Sequence, residues 1–256
     1  MKSLLYYCSI GTLLLSCTKI INVDLKNTAP QFVIEAQVTN TSPAIVQISK
    51  SVSFSQRNTI VGISGANVSI SDNSGRVYNL AEINKGLYSH PNLIGRPGQT
   101  YQLKITVEGN SFSAFSTMPP KVNLDSLITE KISVLGKDIW VVVPQYNDPA
   151  EFGNYYKFYE KINSTKYPDY WIFDDRILNN GLNKFPLVQQ DSIIHKNDKI
   201  EVEMQCINKN MYRYFTSLDN VHHGMTTPAN PETNIVGGAL GYFSAHTSQT
   251  KNIIIK

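Results

Sequence analysis

Apolar and polar residues alternate over several short stretches in the first half of the chain. In a β-strand successive side chains point to opposite faces, so an alternation of period two predicts a strand with one buried face. The strands predicted in this way are 32–38, 44–49, 66–71, 76–80, 101–107 and 112–115. Turn residues separate them, for example at Asp72 to Gly75 and at Pro97-Gly98. Short strands with turns at this spacing are typical of a β-sandwich.

The β pattern is interrupted at Pro119-Pro120 and then resumes. Adjacent prolines cannot serve the middle of a sheet, so we place a domain boundary after Met118. An apolar run at 139–143 predicts a central strand of the second half. Further strands are predicted at 122–128, 155–162, 200–207, 239–245 and 253–255, and long irregular stretches at 166–190 and 221–238.

One stretch of the second half has the spacing of a helix. Met211, Phe215 and Leu218 fall on one helical face, and Asn208 is a suitable N-cap for a helix over 210–220. The sequence therefore predicts a mainly β fold of two immunoglobulin-like β-sandwich domains, the second with one short helix and long loops. The predicted domains are an N-terminal β-sandwich at 31–118 and a C-terminal β-rich domain at 119–256.

The first 17 residues have the pattern of an export signal. Lys2 precedes a mostly apolar run that is too short to span a bilayer as a helix, which takes about 20 residues. The run Leu14-Leu15-Ser16-Cys17 looks like a bacterial lipobox, in which the cysteine is lipidated. Residues 1–16 are thus predicted to be a lipoprotein signal peptide, Cys17 the lipidation site and 17–30 a lipidated tether. The alternative is an ordinary signal peptide with a chance cysteine.

The net charge of the chain bears on which partners it can bind, and its cysteine content bears on whether a disulfide can stabilise it. The 256 residues carry a formal net charge of +3, which gives no electrostatic footprint for nucleic acid. With Cys8 in the signal and Cys17 lipidated, Cys206 has no cysteine left to pair with, so no intramolecular disulfide is expected. Cys206 is either a reactive thiol or a small buried hydrophobe, and its strand-like surroundings favour the second interpretation.

Motifs that carry common catalytic, cofactor or metal chemistry are absent from the sequence. There is no His-Glu-x-x-His, no zinc-like Cys/His spacing and no Gly-x-Ser-x-Gly elbow. Adjacent His222-His223 are expected to be solvated, and Asp169, Asp174 and Asp175 lack the calcium-loop pattern. We therefore expect no catalytic residue, no cofactor and no metal site.

Two stretches remain candidates for recognition. The aromatic residues of 167–173 form either a sugar or peptide platform or a cluster packed over a sheet edge. In the loop 226–238, prolines restrict the backbone and glycines let it turn sharply into the next strand. Its candidate partner or ligand residues are Asn230, Pro231, Asn234, Gly237 and Gly238. The alternative is that this loop plugs the end of the second sandwich, with Ile235 and Leu240 buried.

The stretch 226–245 resembles the C-terminal hallmark of the lipoprotein family called domain of unknown function 4249. Other matching elements are the lipobox at Cys17, Gly65 to Val68, Pro97 to Leu103, and Asp148-Pro149 with 154–156. The resemblance covers nearly all of the chain after the signal. It implies an envelope lipoprotein of the Bacteroidota, encoded beside TonB-dependent outer-membrane receptors, with no established catalytic residue.

The expected function follows from this resemblance. It is a non-catalytic lipoprotein that is held in the outer membrane by the lipid on Cys17 and acts as an accessory or binding partner of a TonB-dependent receptor. The face of the membrane on which the body lies stays open. The alternatives are a structural or adhesive surface lipoprotein and a hydrolase of unrecognised type.

Overall fold

The computed structural model describes residues 29–52, 61–176, 181–189, 193–222 and 230–256. The predicted signal peptide, Cys17, most of the predicted tether and residues 226–229 of the candidate loop lie outside the described residues. Within them the chain is mainly β with one helix, which confirms the predicted fold class. The described residues form no helix of the length and apolar composition that a membrane span requires.

Most strands of the first sandwich precede Met118. Residues near the C-terminal end of the chain complete it. Its eight described N-terminal strands are β1 (Phe32–Thr39), β2 (Ala44–Lys50), β3 (Val61–Gly62), β4 (Asn67–Asp72), β5 (Val77–Asn84), β6 (Leu87–His90), β7 (Thr100–Val107) and β8 (Asn110–Thr117). Strand β5 pairs with β4 through its first half and with β6 through its second, so the sheet folds back on itself. Alternate residues such as Ile34, Ile48, Ile70 and Leu103 fill the core between the layers.

In the second sandwich, a three-stranded sheet packs against strands that continue the sheet of the first sandwich. The elements after Met118 are β9 (Leu124–Val134), β10 (Lys137–Asp148), β11 (Tyr155–Ile162), β12 (Thr165–Lys166), β13 (Trp171–Asp174), β14 (Gly181–Lys184), β15 (Lys199–Ile207), α1 (Lys209–His222), β16 (Ile235–Val236) and β17 (Leu240–Ile254). Of these, β16 and the first half of β17 pair with strands of the first sandwich. The order β14-β10-β9 forms one sheet, and β11, β15 and the end of β17 form the other. Val142 and Tyr146 from the first pack with Phe158, Val202 and Met204 from the second.

The last strand belongs to both sandwiches. The predicted strands at 239–245 and 253–255 are one continuous strand of 15 residues, β17. Its first half, Leu240 to His246, pairs in parallel with β1, and its second half, Thr247 to Ile254, pairs antiparallel with β15. The predicted boundary after Met118 stays a prediction, but this pairing places residues of the predicted second domain in the core of the first, notably Ile235 and Phe243.

The helix was predicted correctly and has a local cause. Asn208 is its N-cap, because its Oδ1 accepts a hydrogen bond from the backbone N–H of Met211 at 3.1 Å. The same side-chain amide donates through Nδ2 to Ser116 Oγ at 2.9 Å, which ties the helix start to β8 of the first sandwich. The apolar face of α1 buries Met211, Tyr214 and Phe215.

Cys206 lies buried in β15, as its strand-like surroundings indicated. Burial raises the pKa of its thiol, which keeps it protonated and unreactive at neutral pH.

We predict that Gly241 is essential for the pairing of β17 with β1. Its φ is +96°, and a Cβ at this position would lie 2.0 Å from the Ile34 carbonyl oxygen. Gly241→Ala should therefore lower the free energy of unfolding in urea by about 2 kcal/mol or more. Gly181→Ala is the matched control, since Gly181 has no positive φ and a Cβ added there would meet no atom within 4 Å. Equal stability of the two variants would contradict the prediction.

Candidate functional site

One face of the shared strands carries polar side chains across both sandwiches. Paired residues on adjacent strands point to the same side of a sheet, and successive residues point to opposite sides. Thr39 pairs with His246, Ser248 pairs with Gln205, and Gln205 pairs with Lys157. These side chains therefore lie on one continuous face, and the alternate residues point into the two cores.

This face forms the floor of a cleft of about 490 Å³, the inter-sandwich cleft. The first sandwich contributes β1 and the turn after it, including Gln37, Thr39 and Ser42. The second contributes β11, β12, β15 and β17, including Tyr159, Glu203 and Ser248. A concave site at a domain junction is a common location for a small ligand, and pockets that hold one measure about 300–1,000 Å³.

Charged side chains of both signs surround Tyr159 in the cleft. Lys161 Nζ and Glu201 Oε1 form an ion pair at 2.5 Å. Lys166 Nζ lies 4.3 Å from the centroid of the Tyr159 ring. Glu203 Oε1 accepts hydrogen bonds from Gln205 Nε2 at 2.8 Å and from Ser248 Oγ at 2.7 Å, so this carboxylate is held in one orientation.

Lys157 lies beside the cleft under helix α1 and is only 1% exposed. Its Nζ is 4.5 Å from the ring centroid of Tyr159, 4.8 Å from that of Tyr170 and 3.0 Å from that of Phe215. None of the ion pairs within the described residues includes it. Burial in this aromatic surrounding lowers the pKa of Lys157 well below its ordinary value.

His246 lies in the cleft floor and is 3% exposed. Its Nδ1 is 2.9 Å from Ser244 Oγ, and its Nε2 has no hydrogen-bond partner among the described residues. Burial, and secondly the charge of Lys157, lowers the pKa of His246 to about 4, so the ring is neutral at pH 7. A buried nitrogen without a partner costs about 1–3 kcal/mol.

The candidate loop residues lie away from the cleft and divide into two groups. Asn234 is structural: its Oδ1 accepts from Phe243 N at 2.9 Å, and its Nδ2 donates to Phe243 O at 2.8 Å and to Phe115 O at 3.2 Å. Gly237 is structural as well, because a Cβ there would lie 2.5 Å from Ser111 O. Asn230 and Gly238 are exposed, and Pro231 is half-buried. None of these five residues is among those that line the cleft.

The alternative that the loop is a plug also needs a correction. Ile235 is buried and Leu240 is half-buried, but β16 pairs with β8, so the segment closes the first sandwich and not the second. The reason is that β17 runs parallel to β1, which brings the preceding residues to the edge of β8.

The aromatic residues of 167–173 pack over a sheet edge. Strand β13 pairs with β11. The Tyr167 ring stacks on Trp171 with centroids 5.6 Å apart, and Phe173 stacks on Phe185 at 4.9 Å. Tyr170 instead contributes to the surroundings of Lys157. This geometry favours the packing interpretation over an open platform.

The acidic residues near this segment have structural partners. Asp174 forms an ion pair with Arg176 at 2.6 Å, and Asp175 Oδ2 accepts from the backbone N–H groups of Gly153 and Asn154. No group of three His, Cys, Asp or Glu residues in the described ranges has metal-binding geometry. His223 and the side chain of His222 lie outside the described residues.

The sequence pattern does not reveal the cleft, because the residues that line it come from strands that are far apart in the chain. A signal was present in the polar members of the alternation, namely Lys157, Tyr159 and Lys161 in β11 and Glu201, Glu203 and Gln205 in β15. An outward strand face normally carries polar residues, so this signal alone does not distinguish a site from a solvated surface.

The fold and the cleft together define a two-sandwich protein with a polar groove at the junction. The chain belongs to the family described as Domain of unknown function (DUF4249), whose model matches residues 18–252. This confirms the resemblance seen in the sequence. No curated protein matches the chain.

The solved structures that match this chain have low identity to it. The two fibronectin type-III domain segment from chicken tenascin is 10% identical, with a TM-score of 0.24, covering 70% of this chain and 91% of that one. The chicken interferon gamma receptor alpha chain is 9% identical, with a TM-score of 0.25 and coverages of 89% and 98%. The α-L-rhamnosidase from Dictyoglumus thermophilum is 9% identical, with a TM-score of 0.24, covering 72% of this chain but 28% of the enzyme. Such TM-scores are too low to bear on function.

We predict that His246 makes stability depend on pH below neutrality. The unfolded chain binds this proton near pH 6.5 and the folded chain only near pH 4, so the free energy of unfolding falls as the pH drops through that window. The shift corresponds to at most about 3 kcal/mol. In urea titrations between pH 7 and 4, His246→Asn should show a shallower pH slope than the wild type. A wild-type slope in the His246 variant would contradict the assignment.

Proposed function

We propose that this protein is a non-catalytic lipoprotein of the cell envelope. It is held in the outer membrane by lipid on Cys17 and acts as an accessory or binding partner of a TonB-dependent outer-membrane receptor. The observation that carries the proposal is the run Leu14-Leu15-Ser16-Cys17 in a member of this family. The receptor as partner rests on the resemblance of the sequence to that family.

The architecture supports a role in binding at short range from a membrane. Ala29, the first described residue, follows Cys17 by twelve positions, which span at most about 40 Å when extended. Because β17 continues without a break from one sandwich into the other, the two sandwiches are joined by backbone pairing and not by a free linker. Loops at the ends of such a scaffold have fixed anchor points, which suits recognition.

The hydrolase alternative has one geometric observation in its favour, the contact of Ser244 Oγ with His246 Nδ1. Two requirements for catalysis by a nucleophile–base pair are not met by these residues. Ser244 is only 2% exposed, so a substrate carbonyl cannot approach its hydroxyl. No acidic group within the described ranges orients the ring through Nε2. The geometry therefore favours binding over hydrolysis.

We expect Cys17→Ala to release the protein from the membrane. Buried acyl chains contribute about 0.8 kcal/mol per methylene to anchoring, and the variant has no acyl acceptor. After detergent phase separation of cell envelopes, the variant should enter the aqueous phase. Cys206→Ala is the control and should stay with the wild type in the detergent phase. Recovery of the Cys17 variant in the membrane fraction after alkaline wash would overturn the anchor assignment.

We expect mutations in the exposed part of the loop to affect receptor binding and a mutation in its structural part to affect stability. The double variant Asn230→Ala with Glu232→Ala alters two exposed side chains, so its melting temperature should stay that of the wild type. A TonB-dependent receptor, identified by mass spectrometry, should co-purify with the wild type from solubilised outer membrane but not with this variant. Asn234→Ala removes three hydrogen bonds and should cost about 2–3 kcal/mol of stability. If the double variant still holds the receptor, the loop is not the interface.

A further inference from the structure

We propose that the inter-sandwich cleft binds a small zwitterion, an amino acid or a dipeptide. Glu203 receives its ammonium group and Lys166 its carboxylate. This site is separate from the candidate loop, so the inference does not depend on the receptor partnership.

Among the side chains that line the cleft, two are lysines and two are glutamates, and only one lysine and one glutamate are joined in an ion pair. Lys161 and Glu201 already satisfy each other at 2.5 Å. The ion pairs within the described residues include neither Lys166 nor Glu203. One cation and one anion are thus left in the same cleft, which is the arrangement that complements a ligand carrying both signs.

The side chains of Lys166 and Glu203 lie on either side of Tyr159. Lys166 Nζ lies 4.3 Å from the Tyr159 ring centroid, and Glu203 is the register partner of Tyr159 on the adjacent strand. The hydrogen bonds that orient Glu203 both go to Oε1, from Gln205 and from Ser248. A carboxylate fixed in this way costs little further ordering when a ligand ammonium binds.

The remainder of the cleft suits the uncharged polar groups of such a ligand. Gln37, Thr39 and Ser42 present amide and hydroxyl groups from the first sandwich.

Two other ligand classes fit the cleft less well. A saccharide usually packs a sugar ring on an open aromatic face, but Tyr159 already has the ammonium groups of Lys157 and Lys166 within 4.5 Å and 4.3 Å of its ring centroid. A phosphate or other anion would need an excess of cations, whereas the cleft is lined by two lysines and two glutamates.

The test begins with the purified protein that carries Cys17→Ala, so that detergent is not needed. Its thermal shift is measured with a millimolar mixture of the twenty amino acids and with a mixture of the twenty Xaa-Ala dipeptides. The most stabilising compound then goes to titration calorimetry beside its N-acetylated and its C-amidated forms. We expect each blocked form to bind about tenfold or more weakly, because each loses one charged hydrogen-bonding group.

Two variants assign the charges. Glu203→Gln keeps an oxygen for Gln205 and Ser248 and removes the negative charge, so it should no longer distinguish the free from the N-acetylated ligand. Lys166→Met should no longer distinguish the free from the C-amidated ligand. Lys104→Met, at an exposed lysine of β7 that does not line the cleft, is the control and should keep the wild-type affinity.

Several results would overturn the proposal. One is the absence of any thermal shift with both mixtures. Another is equal affinity for free and blocked ligands, or equal behaviour of the wild type and both cleft variants. Displacement of the bound ligand by cellobiose or by inorganic phosphate at comparable concentration would assign the cleft to a saccharide or to an anion instead.

Discussion

The pairing of β17 with two different partners is the interaction on which the rest of the structure depends. Fifteen residues run in one strand, parallel to β1 in the first half and antiparallel to β15 in the second. The parallel half requires Gly241, since a side chain there would collide with the backbone of β1. Because this strand is shared, the polar face that it presents is continuous across both sandwiches, and a cleft forms where the two units meet.

The cleft region contains groups that a purely structural junction would not need. Lys157 is buried among aromatic rings without an ion-pair partner in the described part of the chain, and His246 is buried and neutral with one nitrogen unbonded. Apolar residues of similar size at such positions are often as stable or more stable. The nearby aromatic residues Tyr170 and Phe215 support Lys157, so the helix has a role in forming the site as well as in covering the sheet.

The proposed partner loop and the proposed ligand cleft are different surfaces with different physical character. In the loop, Asn234 and Gly237 serve the fold, and exposed Asn230 and Glu232 are left for a partner. In the cleft, oriented charges and hydroxyl groups face a confined volume. The proposed lipid anchor and the two proposed surfaces together would hold a small polar ligand close to a membrane receptor.

The sequence by itself determined the local elements of this protein. Period-two alternation located β1, β4 and β7, the helical spacing and Asn208 located α1, and the motif at 226–245 led to the family. The sequence did not determine that 240–254 is one strand, because an alternating pattern does not specify which strand pairs with it. It also did not determine the cleft, whose residues come from strands far apart in the chain and look like ordinary solvated strand faces. Only the tertiary pairing decided which polar residues share a face, because hydrogen bonding between distant strands sets the register and the register sets which side chains meet.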